Sequence, residues 1–380
     1  MELNNTHYAA LGGFLIALAF GAIANKTRFC AMGAVSDWVL MGDKNRLRAW
    51  FLAIAVAMIG TQVLQAGGYI NLRESIYLTS NFSWLGHLLG GLVFGIGMTL
   101  TGGCGQRSLV RLGGGSLKSL VVVLVLAISA AMTLYGLLAF LRIGYIEAAN
   151  INLAAHNMPD QTISSAILAA AGLANAQFIR IGAVVSIAAG FLLFVFKDAE
   201  FRESFYNILT GASIGLFITA GWTVTGWLAK DDFDPVRLES FSFVAPVANA
   251  LQYVMTFTGA KINFGVAAVF GVIAGSFLYA IFTKKFRVET FSTRTDMLNH
   301  LAGAMLMGFG GVLALGCTIG QGISGMSTLA LGSMITLASI IFGSAMTVKI
   351  QYHLLGNQGF FHALRLTLAD FRLLPVRKAV

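Results

Sequence analysis

Residues 84–120 read WLGHLLGGLVFGIGMTLTGGCGQRSLVRLGGGSLKSL, and the fold is decided by how this stretch is understood. An apolar, glycine-spotted helix runs into Gly102-Gly103-Cys104-Gly105. Arg107 and Arg111 follow, and then Gly113-Gly114-Gly115 opens a second apolar run. Hydrocarbon offers no partner to a free backbone N–H or C=O. A broken helix in an apolar segment is therefore tolerated only where protein buries it or a polar cavity meets it. A thiol and cations at such a break suit a pore or a binding point inside a membrane, not a soluble core.

The same text returns at residues 297–339, MLNHLAGAMLMGFGGVLALGCTIGQGISGMSTLALGSMITLAS. In register, His300 falls on His87, Gly303 on Gly90, Gly308 on Gly95, Gly310 on Gly97, Gly316 on Gly103 and Cys317 on Cys104. A short gap after the cysteine then sets Gly332-Ser333 on Gly115-Ser116. One supersecondary unit has been used twice. A weaker echo lays Gly190-Phe191 on Gly21-Ala22 and brings residues 197–200 under 26–30, where the second copy has no cysteine. Two related but chemically unequal halves are expected at residues 1–142 and 178–350. A connecting segment, 143–177, joins them, and an amphipathic cytoplasmic tail, 351–380, follows. Whether the repeat is parallel or inverted depends on the number of crossings between copies.

Composition agrees with this class. Hydrophobic residues make up 57% of the chain and charged residues 11%, and the mean hydropathy is +0.78. That is far too apolar for an average globular protein, and the chain reads as an all-α polytopic membrane protein. The net charge of +9 would suggest nucleic acid in a soluble protein, but these cations lie between apolar runs. They read as basic loops on the cytoplasmic side, with no nucleic-acid partner. Residues 8–24, 51–66, 118–140, 180–196, 204–228 and 264–282 are long enough to span. Residues 31–41 are too short and read as a re-entrant half-helix, residues 242–257 as a partial one. The start of the chain lacks a basic n-region and a convincing cleavage site, so it is kept as the first span.

Three cysteines, Cys30, Cys104 and Cys317, have no CxxC pairing and no even count, which argues against a disulfide framework. Each stands at a polar break, and two occupy matching repeat positions. A lone buried cysteine is usually a small hydrophobe; this distribution favours a shared site. The helix starting after each break points free N–H groups into the cavity and favours an anion. Supporting roles are expected for Arg28, Gly103, Gly105, Gln106, Arg107, Gly316, Gly320 and Gln321. The plainer reading of the arginines is interface anchoring, and glycines at four-residue spacing, such as Gly271 and Gly275, read as helix packing. His87 and His300 read as structural. Gly211-Ala212-Ser213-Ile214-Gly215 matches the hydrolase elbow by chance, inside an apolar helix with no strand before it. No metal-binding, P-loop or dinucleotide motif is present, and no cofactor, metal or catalytic residue is expected.

The elements RFCAMGAVSDW, TGGCGQRSLVRLGGGSLKSLVVV and LGCTIGQGISGMS resemble those of the YeeE/YedE family of prokaryotic inner-membrane proteins, which includes thiosulfate transporters. The resemblance implies an hourglass-like helical fold with half-helices meeting at mid-membrane, and a thiosulfate path marked by Cys30, Cys104 and Cys317. It implies a multi-pass protein of the bacterial inner membrane in contact with lipid, handling a small anionic sulfur substrate, with a cytoplasmic sulfur-carrier protein as a partner. Thiosulfate carries two negative charges, a soft terminal sulfur and hard oxygens. Weak thiol S–H donors suit the sulfur and helix-start N–H groups suit the oxygens, and several weak sites in series let a dianion move on. Two alternatives are a membrane thiol-dependent sulfurtransferase and transport of a selenium or other sulfur compound. With no nearby base and no appended soluble domain, transport leads.

Overall fold

The computed structural model describes residues 5–156, 158–171, 176–230, 236–356 and 359–371. Helix α1 (Asn5–Thr27) breaks at Arg28, which takes a left-handed backbone (φ 54°). The short α2 (Ala31–Ser36) follows and runs on as one π turn, Asp37–Met41. Next come α3 (Asn45–Ala66), a π turn Gly86–Gly90 leading into α4 (Gly91–Leu100), then α5 (Gly105–Gly113) and α6 (Leu117–Leu134). The expected apolar run to residue 140 stops early, because Tyr135 and Gly136 end the helix before α7 (Leu138–Leu141). Helices α8 (Ile163–Ala171), α9 (Ala176–Phe196) and α10 (Ala199–Glu203) connect to α11 (Phe205–Thr223), which ends in a π turn, Val224–Leu228. Then come α12 (Ala245–Met255), α13 (Phe264–Phe282), α14 (Arg294–Leu313), a π turn Gly320–Gly325, α15 (Leu331–Leu355) and α16 (Phe360–Asp370).

Among the described residues, eight helical stretches are long and apolar enough to cross a membrane. The chain is an all-α polytopic membrane protein. Helix α14 falls outside that set because Asp296, Asn299 and His300 load its first turns. It nevertheless lies along α4 and α6 over its length.

The packing is reciprocal. Helix α1 lies on α13 and α3 on α11, while α4 lies on α15 and α6 on α14. Glycines make these approaches possible. A Cβ on Gly275 would strike the Leu18 carbonyl, one on Gly21 the Val272 carbonyl, and one on Gly95 the Ile340 carbonyl. Each of these cross-half pairs is parallel: Gly13 meets Phe264 while Asn25 bonds Ser276, and Gly211 meets Ala49 while Gly60 meets Thr219. The duplicated α4 and α14, by contrast, run antiparallel, Gly90 against Gly310 and Gly97 against Gly303. The two copies are therefore inverted relative to each other.

This pattern sets α11 opposite α1. The weak echo that placed residues 190–191 on 21–22 is not followed, because α9 touches α3, α8 and α10 and stands outside the reciprocal set. The reason is chemical. Gly21 is pressed against a neighbouring backbone whereas Gly190 faces open space, so only the first glycine is demanded by packing.

The basic loops gather at one face. There Lys118 pairs with Asp296 (2.6 Å), Arg48 with Asp198 (2.9 Å) and Lys349 of α15 with Asp370 of α16 (3.3 Å). Of the expected tail, Arg365 belongs to α16, while Arg372, Arg377 and Lys378 lie outside the described residues, as do residues 231–235 of the loop 230–239, which reads as acidic in the sequence. At the opposite face the polar connecting segment pairs Ile151–Asn152 with Asn81–Phe82 as two short antiparallel strands. It continues to Asp160, which pairs with Arg73 at 3.3 Å. Burial pushes the Asp160 carboxyl up, but the hydroxyls of Ser165 and Thr162 and the Arg73 guanidinium outweigh it and hold the group below the usual carboxylate range.

Candidate functional site

The three cysteines occupy the same local position. Cys30 precedes α2 and Cys104 precedes α5, both as extended N-cap residues. Cys317 precedes the π turn of the second copy, and its Sγ accepts the Gly320 N–H at 3.4 Å. The N–H groups of Gly33 and Arg107 stand in the corresponding relation to Cys30 and Cys104. The pseudo-twofold generates a fourth start, that of α12, where Val244 takes the position of Cys30. Pro246 in its first turn removes one N–H donor. This is the physical content of the chemical inequality between the halves.

The structure brings the thiols to the middle of the protein. Cys104 and Cys317 are 1% and 0% exposed, and all three cysteines are free. The Cys30 and Cys104 thiols contact each other. Thr318, next to Cys317, faces the Cys104 thiol, while the Cys317 sulfur faces Ser242 and the Phe243 backbone. Residues 237–242 reach this point as irregular chain, and neighbours take up some of its polar groups. Ser324 donates to the Phe241 carbonyl (2.8 Å) and Thr225 to the Glu239 carbonyl (2.7 Å).

A cavity lies on each side of this waist. Toward the basic face a cavity of about 140 Å³ is lined by Asn25, Arg107, Arg111, Lys285, Arg287 and Glu289. Toward the opposite face a cavity of about 360 Å³ is bounded by Tyr77, Arg237, Glu239, Ser242, Asn263 and Gly316. Burial pushes the Glu239 carboxyl, at its rim, up to about 7, against the opposing effects of Arg237 and the Gly265 N–H.

The supporting residues divide. Arg107 stands within electrostatic reach of Cys30, Cys104, Arg28 and Arg111, and Arg28 is exposed at the break that leads to Cys30. The Gln106 Oε1 accepts from the Cys104 thiol at 3.9 Å. Gly103 packs under the Arg107 side chain, and Gly105 lies beside the Phe243 carbonyl. Gly316 and Gly320 make room for Gln321 and Ser242 respectively. Gln321 is a brace: its Nε2 donates to the Ala314 carbonyl (2.7 Å) and its Oε1 accepts from Ser333 (2.5 Å). Ser242, Thr318, Arg111, Lys285 and Arg287 were not anticipated. Thr318 was signalled by its place beside a cysteine, the two loop cations only by basic charge, and Ser242 by nothing in its surrounding sequence.

Residues 26–346 match the sequence pattern of the Sulphur transport family. The chain belongs to this family. It is similar to the thiosulfate transporter TsuA of Escherichia coli K12, with 25% identity over 353 residues, covering 88% of this chain and 92% of that protein. It is also similar to the thiosulfate transporter TsuA of Spirochaeta thermophila, with 28% identity over 337 residues, covering 87% and 94% respectively. The chain is a multi-pass membrane transporter, not an enzyme.

Proposed function

We propose that the protein carries thiosulfate inward across the bacterial inner membrane along Cys317, Cys104 and Cys30, in that order. Supporting this reading, three thiols at half-helix starts stand between two cavities. Arg237 draws the dianion toward the outer cavity, and the ion sheds water at Ser242 and Cys317. Weak S–H contacts hold its terminal sulfur, and no bond to sulfur forms or breaks. The Arg107, Arg111, Lys285 and Arg287 cluster then receives it at the basic face. The excess of Lys and Arg there makes this face cytoplasmic, and it is where a sulfur-carrier protein would collect the ion. On the same reading the duplicated units are 5–134 and 205–355, narrower than 1–142 and 178–350, with α7 to α10 between them.

Uptake of labelled thiosulfate into proteoliposomes tests this. Cys104→Ala and Cys317→Ala should each cut the initial rate at least tenfold while the protein still inserts and elutes as a single species. Wild-type rates in both variants would refute the path.

A further inference from the structure

Two buried polar groups beside Cys104 have no partner in the protein. The Gln106 Nε2 and the Thr318 Oγ1 make no hydrogen bond, although each residue is only 1% exposed. Buried donors are ordinarily paired, because leaving one idle sacrifices the hydrogen bonds it made to water. Most residues of the same types are paired, and the exceptions, the Thr61 Oγ1 and the Gln161 Oε1, are not among the groups that face the Cys104 thiol as Gln106 and Thr318 do. Gln321 satisfies both ends of its amide, and the Gln62 Nε2 donates to the Ser327 carbonyl at 3.0 Å. Thr99, Thr101, Thr133 and Thr347 each donate to a carbonyl four residues back. Thr318 instead begins a break and its hydroxyl is turned to the Cys104 thiol from the other copy. With the Gln106 Oε1 accepting from that thiol, the amide NH₂ is the end left over.

We propose that Gln106 and Thr318 form an oxyanion-reading site at the waist. The pair donates to the oxygens of the sulfur oxyanion while its terminal sulfur rests on Cys104, and so fixes which end of the ion leads. This rests on the transport reading above and adds its specificity-determining residues. Neutral donors suit the position: they recognise oxygens in a site shielded from water, yet add no fixed cation that would trap a dianion. One donor comes from each copy of the repeat, so the site exists only where the two inverted breaks meet.

The test is thiosulfate uptake into proteoliposomes, paired with calorimetric binding of thiosulfate to detergent-solubilised protein. The variants are Thr318→Val, Thr318→Ser and Gln106→Met. Val and Met keep shape and lose the donor, and should raise both KM and Kd at least tenfold. Ser restores the hydroxyl and should stay within about threefold of wild type; tenfold is about 1.4 kcal/mol. Unchanged values in Val and Met, or equal loss in Ser and Val, would overturn the site. If Val does not insert, Gln106→Glu decides against Ser: replacing the donor by a negative oxygen should cost at least tenfold, and equality with wild type refutes the proposal. Wild-type protein that binds thiosulfate in a Thr318-dependent way without moving it would sink the transport reading and leave the site standing.

Discussion

Single atoms decide much of this protein's behaviour. Gly275 has only a hydrogen where any other residue would place a Cβ against the Leu18 carbonyl. Gly275→Ala should therefore force α1 and α13 apart and cost about 1–3 kcal/mol, read as a lower melting temperature in detergent. Glu239 makes a second prediction. Its carboxyl titrates near 7 in the folded protein against an ordinary value of 4.5, so the folded state binds the extra proton between those limits. The native group costs nothing while protonated in both states below about 4.5. The penalty grows as pH rises through the window to 7 and is constant above it. Glu239→Gln should match wild type at the acid end and melt higher at pH 8; a constant gap across the range would refute the burial argument. That the three cysteine-bearing breaks would come together was legible at this scale because each interrupts an apolar run with polar residues or glycines for which an ordinary span has no use. The place of Val244 was not, since the irregular chain before it resembles a polar loop. Thr318 was marked only by its place beside a cysteine, since nothing in one chain reveals an unpaired hydroxyl.

Helices and breaks obey a simple division of labour. Spanning helices carry glycine faces that settle which neighbour each one meets, and the short half-helices carry the polar starts. The break at Cys317 is held by Gln321, itself held by Ser333. Ser333→Ala leaves the Gln321 Oε1 buried without a donor, at about 1–3 kcal/mol. It should lower the melting temperature and weaken thiosulfate binding together, whereas loss of stability with unchanged affinity would separate the brace from the path. Periodic glycines marked in advance which helices pack closely, such as the one carrying Gly271 and Gly275, but not which neighbour each would meet. The register of α9 misled because a helix facing lipid needs apolar residues in no particular order, and such text aligns with any other span.

The whole molecule has a basic face and an opposite one, and the two cavities open toward them. Cysteines introduced at Arg73 and at Lys285, both exposed, test this assignment in intact cells with a membrane-impermeant maleimide. The Arg73→Cys variant should react and Lys285→Cys should not until the membrane is opened; the reverse would turn the protein over. The class of fold was readable from hydropathy alone, but the relative direction of the copies was not. That depends on how many passes separate them, and short apolar segments such as residues 163–171 cannot be counted from composition. Five of the candidate passes precede α11, and the last of them, α9, is the least embedded in the protein, with 11% of its apolar window buried. A helix that contributes so little to packing still serves as the parity bit of the chain. Excising it would leave an even count, oblige the C-terminal copy to enter the bilayer upside down, and separate Thr318 from Gln106 without altering any residue near them.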